Sequence, residues 1–151
     1  ADQYGLEKIK TVGDAYMVVA GLPEPRPDHV EAVAAFAVDV LAAVKRHRAL
    51  NGGDIRVRVG IHTGPIVAGV IGRRKFIYDL WGDTVNIASR MESYGLPDTV
   101  QVTAEVMARL AERVPGRFHF ERRGPLEVKG KGPMLTYLLR PSSQPAADSG
   151  A

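Results

Sequence analysis

The chain has 151 residues, of which 45% are hydrophobic and 25% are charged, and its formal net charge is +3. This composition fits a single globular domain rather than a chain that is disordered throughout or a two-domain enzyme. Cysteine is absent, which excludes disulfides, thiolate catalysis and cysteine-ligated metal sites. No segment approaches the roughly 18 apolar residues of a membrane helix, and the first residues do not resemble a signal peptide. We therefore expect this segment to be soluble and cytoplasmic and to make no membrane contact, in a parent protein that is either soluble or membrane-attached.

The N-terminal half of the sequence predicts a hairpin followed by a long helix. The Gly-Asp dipeptide at 13–14 is a tight-turn signal between two apolar-rich runs, 6–12 and 15–21. Asp28 and Glu31 have the D-x-x-E spacing of a capping box, and the apolar residues after them repeat at helical spacing. We therefore expect two antiparallel strands and then a helix that starts at Asp28.

The rest of the sequence predicts shorter elements joined by turns. The Asn-Gly-Gly segment 51–53 should end the long helix, and apolar residues alternate over 55–61 as in a strand with one buried face. The passage 64–72 is rich in glycine but lacks the G-K-[ST] ending of a phosphate-binding loop. The remaining predicted elements are strands at 76–81, 99–102, 118–120 and 135–139, a helix at 84–94, and a helix capped by Thr103 that ends near 114.

The order of these elements indicates the fold class. Several consecutive strands have no helix between them, which favours an α+β fold over a doubly wound parallel sheet. We expect a mostly antiparallel sheet with helices on one face. The expected organisation is one domain over 1–140 and a disordered polar tail over 141–151.

The predicted hairpin carries the first candidates for chemistry. Asp14 lies at the turn, where an aspartate either bonds its own backbone or binds a metal ion. Lys10 lies on the strand face opposite Ile9, where a lysine either meets solvent or donates to a ligand. Neither residue alone distinguishes these possibilities.

A second group of candidates follows later in the chain. Asn86 and Arg90 are four residues apart and so project from one face of a helix. They are either a clamp for ribose and phosphate or an exposed polar face. Lys129 and Lys131 lie in a glycine-rich turn that either meets a polyphosphate or is a solvated loop. The four histidines show no paired metal-ligand spacing, which argues against a histidine metal site.

Four segments of the chain form an ordered set of motifs. They are EKIKTVGDAYM at 7–17, VGIHTGPIVAG at 59–69, YDLWGDTVNIASRM at 78–91 and EVKGKG at 127–132. Together they resemble the catalytic domain of class III nucleotide cyclases, in order and at the family's spacings. The resemblance implies a ferredoxin-like palm sheet that works as a homodimer, with active sites at the interface.

The resemblance also implies a reaction. In the family, ATP is closed into 3′,5′-cyclic AMP and pyrophosphate when the ribose 3′-oxygen attacks the α-phosphorus. Two metal ions, Mg²⁺ or Mn²⁺, are held by two aspartates, one ion favouring the attacking oxygen and the other the leaving polyphosphate. The expected partners are therefore ATP and a second copy of the domain, and we expect no nucleic acid.

Individual roles carry over by motif position. Asp14 resembles the second metal-binding aspartate of the family. Lys10 and Asp79 resemble the adenine-binding pair, in which lysine donates to N1 and the carboxylate accepts from the 6-amino group. Since guanylate cyclases typically have glutamate at the position of Lys10, the pair implies ATP rather than GTP.

The remaining roles concern the ribose and the phosphates. The resemblance implies that Asn86 orients the ribose, that Arg90 stabilises charge at the pentavalent phosphorus and that Lys129 holds the terminal phosphates. In the homodimer, Asp14 would come from one protomer, and the other site residues from its partner.

One family motif does not occur in the sequence. The first metal-binding aspartate of the family lies upstream of the region of Tyr4, in an Asp-hydrophobe-x-Gly-Phe-[Ser/Thr] motif that is absent here. We therefore expect a palm sheet without its first strand, and little or no cyclic AMP formation by this chain alone.

Two other functions remain as alternatives. The chain could be a catalytically silent module with the cyclase fold that regulates or dimerises. It could also be an RNA-binding palm, because RNA-recognition domains share the ferredoxin-like topology, although Tyr16, Phe76 and Tyr78 do not form the stacking motif of such domains.

Overall fold

Eight strands and three helices make up the part of the chain that the computed structural model describes, which is residues 6–12, 15–21, 26–53, 56–64, 67–71, 77–81, 83–128 and 132–142. The strands are β1 (Glu7–Val12), β2 (Ala15–Val19), β3 (Arg58–Ile61), β4 (Val67–Ile71), β5 (Ile77–Trp81), β6 (Thr99–Thr103), β7 (Phe118–Val128) and β8 (Gly132–Pro141). The helices are α1 (His29–Asn51), α2 (Asp83–Ser93) and α3 (Ala104–Arg113).

The described strands form three ladders. Four of them form a sheet in the order β3-β6-β8-β7, while β1 pairs with β2 and β4 pairs with β5. The β3-β6 pairing is parallel, and every other pairing is antiparallel. The α+β class and the mostly antiparallel sheet are therefore as predicted.

The helices cover both faces of the four-stranded sheet. Val100 and Val102 of β6 join the main core with apolar residues of α1 and α3. Gln101, which lies between them and so points to the opposite face, contacts Met91 of α2. The sequence placed all helices on one face; the structure shows α1 and α3 there and α2 on the other.

One strand was missed by the sequence reading. The glycine-rich passage contains β4, whose Gly69 pairs with Asp79 of β5. Glycine weakens a strand signal, so β4 is identified by its pairing with β5. Similarly, β7 and β8 exceed their predicted lengths because their ladder continues from Phe118↔Pro141 to Val128↔Gly132.

The predicted helix caps differ from the observed contacts. Asp28 precedes α1 but makes no capping hydrogen bond; its carboxylate accepts from Arg26 at 2.7 and 2.9 Å. Glu31 accepts from Arg113 Nε at 2.6 Å instead of completing a capping box. The predicted end of α1 is confirmed, because Gly52 has φ of 74° and donates its N–H to the Arg48 carbonyl at 2.8 Å.

An ion-pair cluster joins the end of α1 to the turn before β6. The Asp98 carboxylate accepts from Arg48 at 3.1 and 2.7 Å and from Arg56 at 3.0 Å. Asp98 has φ of 62°, a left-handed conformation that aspartate tolerates better than most residues. The hydrogen bond from Arg48 lowers the pKa of Asp98, with Arg56 acting in the same direction against desolvation.

We expect Asp98→Ala to lower the free energy of unfolding by about 1–3 kcal/mol, because two cations lose their acceptor and a Cβ-bearing residue without polar atoms must keep a positive φ. Since the folded pKa of Asp98 is below its unfolded value, its stabilisation is present above the unfolded pKa and is lost as pH falls through the folded pKa. Urea unfolding from pH 7 to pH 3 measures both effects. The Asp98→Gly variant keeps the backbone relaxed, and equal stability of the glycine and wild-type chains would contradict a contribution from the ion pairs.

Candidate active site

Three elements that carry predicted site residues lie together in one chain. Strand β1 contacts β5, and α2 contacts β5. Lys10 is in β1, where it pairs with Met17, and Asp79 is in β5, where it pairs with Gly69. The positions predicted to bind the base are therefore on contacting strands, and β5 leads along the chain into the helix with Asn86 and Arg90.

The amphipathic helix α2 presents its polar residues away from the core. Ile87 and Met91 are buried against Leu126 and Met134, which belong to β7 and β8. Asn86 is exposed and Arg90 is half-buried. Because Asn86 and Arg90 are one turn apart, their polar groups are available to one ligand.

Arg90 is held by an aromatic ring. Its guanidinium carbon lies 6.0 Å from the centroid of the Tyr94 ring, at the outer limit of a cation–π contact. Within the part of the chain that the structure describes, no carboxylate forms an ion pair with Arg90. A guanidinium offers a fixed fork of donors that suits an anion such as phosphate.

Gly60 of β3 allows α2 to lie directly on the sheet. A Cβ atom at this position would be 2.7 Å from the Ala88 carbonyl oxygen and closer still to the backbone nitrogen of Glu92. These are backbone atoms of α2, so they cannot move without moving the helix. The alternation over 55–61 placed Gly60 on the face opposite the apolar residues and assigned it no further role. A glycine on a strand face indicates that another backbone segment approaches closely.

We expect Gly60→Ala to destabilise the chain by about 1–3 kcal/mol and to displace α2, as overpacking does in well-packed cores. Thermal or urea unfolding measures the first effect, and nucleotide turnover measures the second. Gly116→Ala is the comparison variant: a Cβ there meets no atom within 4 Å but φ is 80°, so this variant reports the strain of a left-handed alanine without overpacking. A Gly60→Ala variant with wild-type stability and activity would contradict the close packing of α2 on β3.

The histidine of the second motif has a structural environment. His62 Nδ1 lies 2.8 Å from Thr103 Oγ1, and His29 Nε2 lies 3.2 Å from Thr63 Oγ1. Burial lowers the pKa of His62, while the nearby Glu105 opposes this shift. These contacts join the segment after β3 to the starts of α1 and α3. The Thr103 side chain, which was predicted to cap α3, makes no capping hydrogen bond and contacts His62 instead.

Two of the predicted site residues, Asp14 and Lys129, lie outside the described residues, as do residues 143–151 of the tail predicted over 141–151. The first residue of that predicted tail, Pro141, belongs to β8. The described ranges contain no group of three or more acidic or histidine side chains that could hold a metal ion. Among the helices that the structure describes, none combines the length and the apolar character needed to cross a membrane.

Comparisons with known proteins agree with this geometry. The family model "Adenylate and Guanylate cyclase catalytic domain" matches residues 1–141. An adenylate cyclase of Mycobacterium tuberculosis is 51% identical over 138 residues, which cover 91% of this chain and 30% of the relative. The guanylate cyclase soluble subunit beta-2 of Rattus norvegicus is 48% identical over 133 residues, which cover 87% of this chain and 19% of the relative.

A solved structure shows the same fold. The guanylate cyclase domain of RhGC from Catenaria anguillulae, in complex with GTP, is 37% identical, with a TM-score of 0.80 over 93% of this chain and 75% of that chain. The chain spans less than a third of the length of the curated relatives named above. On the matched family model and these identities, the chain belongs to the class III adenylate and guanylate cyclase catalytic domains.

Proposed function

We propose that this cyclase domain converts ATP to 3′,5′-cyclic AMP and pyrophosphate. One observation carries the proposal: β5, which contains Asp79, contacts both β1, which contains Lys10, and α2. The helix α2, with Asn86 and Arg90, also follows β5 directly along the chain. In this proposal, the two strands would bind the base and Arg90 would bind phosphate, all within one half-site. The 51% identical relative is named adenylate cyclase, which also favours ATP.

Selection of adenine follows from hydrogen-bond chemistry. Adenine accepts at N1 and donates from its 6-amino group, which suits the Lys10 ammonium and the Asp79 carboxylate. Guanine donates at N1 and accepts at O6, so both contacts would be mismatched. A site built to hydrogen-bond one base strongly rejects the other because its own polar groups would then be left unpaired.

The polar face of α2 would act on the ribose and the α-phosphate. Asn86 is exposed and offers an amide that can fix the ribose. Arg90 would stabilise the charge that develops at the pentavalent phosphorus, where a preorganised cation has its largest effect. The Tyr94 ring favours this preorganisation, because it limits the freedom of the guanidinium before the nucleotide binds.

Two parts of the proposal rest on the family resemblance. Asp14 would contribute one carboxylate to bound Mg²⁺ or Mn²⁺, which supplies charge stabilisation at the reacting oxygens. Lys129 would hold the terminal phosphates. The active site would form at a homodimer interface, with Asp14 from one protomer and Lys10, Asp79 and the α2 residues from its partner.

Turnover of ATP and GTP by the purified full-length protein, with Mg²⁺ and with Mn²⁺, tests the proposal. We expect cyclic AMP as the main product and a kcat/KM for ATP that exceeds the value for GTP by about 100-fold or more. Equal turnover of the two nucleotides would reject the specificity. A dimer that forms no cyclic nucleotide under any condition would instead indicate a silent module with the cyclase fold.

A further inference from the structure

Arg123 connects the β7-β8 hairpin to the end of α2. It lies at the irregularity of β7 between Arg122 and Gly124, where the register with β8 shifts. Its Nη1 donates to the Tyr94 carbonyl oxygen at 2.6 Å and also to the side-chain oxygen of Gln101. A bulge redirects a side chain out of the regular strand alternation, and this one directs Arg123 across the sheet to α2.

The Tyr94 carbonyl is a suitable acceptor for a cation. It directly follows the last residue of α2, where carbonyl groups lack intrahelical partners and the helix dipole is negative. Gln101 is 1% exposed, and its amide nitrogen lies 3.9 Å from Met91 Sδ. The second arginine at this helix end, Arg58, donates to the Ser93 carbonyl at 3.4 Å and is the longer contact.

This contact is one step from Arg90. Arg123 donates to the carbonyl oxygen of Tyr94, and the ring of Tyr94 lies beside the Arg90 guanidinium. The same hairpin also packs under α2, because Leu126 and Met134 cover Ile87 and Met91. The β7-β8 hairpin and α2, which carries Asn86 and Arg90, therefore form one packed unit. The two strands of this hairpin meet residues 129–131, which include Lys129, at 128 and 132.

We propose that Arg123 is a positioning residue for catalysis, which holds the C-terminal end of α2 and thereby the orientation of Tyr94 and Arg90. This inference rests on the proposed cyclase function. Arg123 does not contact the nucleotide in this proposal. It acts on the transition state through Arg90, so its loss should affect kcat more than KM.

The kinetic test compares variants of the full-length protein. Arg123→Met retains the aliphatic stem but no donor, and Arg123→Lys restores a cation with a single-point geometry. Arg122→Met is the matched control, since Arg122 is an exposed arginine next to it in β7. We expect Arg123→Met to lower kcat by about 10- to 100-fold with little change in KM, because small misplacements of catalytic groups have effects of this size. Arg123→Lys should recover part of the loss, and Arg122→Met should keep the wild-type kcat.

Hydrogen exchange gives a readout that does not depend on turnover. We expect amides of 91–96 to exchange faster in Arg123→Met than in the wild-type protein or in Arg122→Met, with α1 unchanged. Unchanged exchange over 91–96 would overturn the positioning contact, and faster exchange with wild-type kcat would overturn its role in catalysis. If the wild-type protein forms no cyclic nucleotide, the proposed function fails, while the exchange data still decide whether Arg123 holds α2.

Discussion

Replacing Arg90 with alanine in the full-length protein is expected to lower kcat by about 100- to 1000-fold, which is the usual effect of removing one preorganised donor to a developing charge. Arg90 is a half-buried cation whose described contact is the Tyr94 ring at 6.0 Å. A cation that meets a phosphate mainly in the transition state contributes to kcat rather than to ground-state binding. KM for ATP should therefore change much less than kcat.

Steady-state kinetics and unfolding of the same preparations test this expectation. Arg90→Lys retains the charge without the planar fork of donors and should recover only part of the activity. Ser89→Ala, at an exposed position of the same helix, is the matched control and should behave as the wild-type protein. A loss in KM with unchanged kcat would place Arg90 in ground-state binding and reject its role at the transition state.

Lys10→Glu is expected to abolish most of the preference for ATP over GTP. The change replaces a donor at N1 of the base with an acceptor, so the contact with adenine is lost and the N1–H of guanine gains a partner. We expect the ratio of kcat/KM for ATP to that for GTP to fall by about 100-fold or more, since mismatched hydrogen bonds in a specific site cost this much. Because Asp79 still suits the 6-amino group of adenine, we expect slow turnover of GTP.

Competition between ATP and GTP, with both cyclic products measured, gives the ratio directly. Lys8→Glu makes the same charge change on the same strand and should leave the ratio unchanged. If both substitutions alter the ratio equally, net charge rather than base recognition explains the effect. An unchanged ratio in Lys10→Glu would show that other residues select the base.

Local patterns predicted most of the secondary structure because their signals lie within a few residues. The apolar repeat of α1 and its Gly52 end appear at the predicted places, since helix periodicity and a left-handed glycine are local properties. The capping box failed for a non-local reason. Arg113, which is 82 residues away from Glu31, takes the carboxylate that local spacing assigned to the helix start.

In the candidate site too, local features could be predicted from the sequence and long-range contacts could not. The motifs identified Asn86 and Arg90 as neighbours on one helix, because residues four apart share a face in any α-helix. They also assigned roles to Lys10 and Asp79, whose strands prove to be in contact. The sequence did not predict that Gly60 and Arg123 position α2. Both residues contact backbone atoms of α2 or of Tyr94 just after it, which are distant from them in the sequence.

The sequence by itself determined the family and the α+β class and predicted the residues of the site, because motifs and short-range periodicity depend on neighbouring residues. Only the tertiary structure decided that α2 lies on the sheet face opposite α1 and α3, and that β3 and the β7-β8 hairpin hold it there. Which backbone approaches which is set by packing between distant segments. A chain of 151 residues with a net charge of +3 could pack its helices on a sheet in many ways. The close contact between Gly60 and the backbone of α2 permits few positions for that helix.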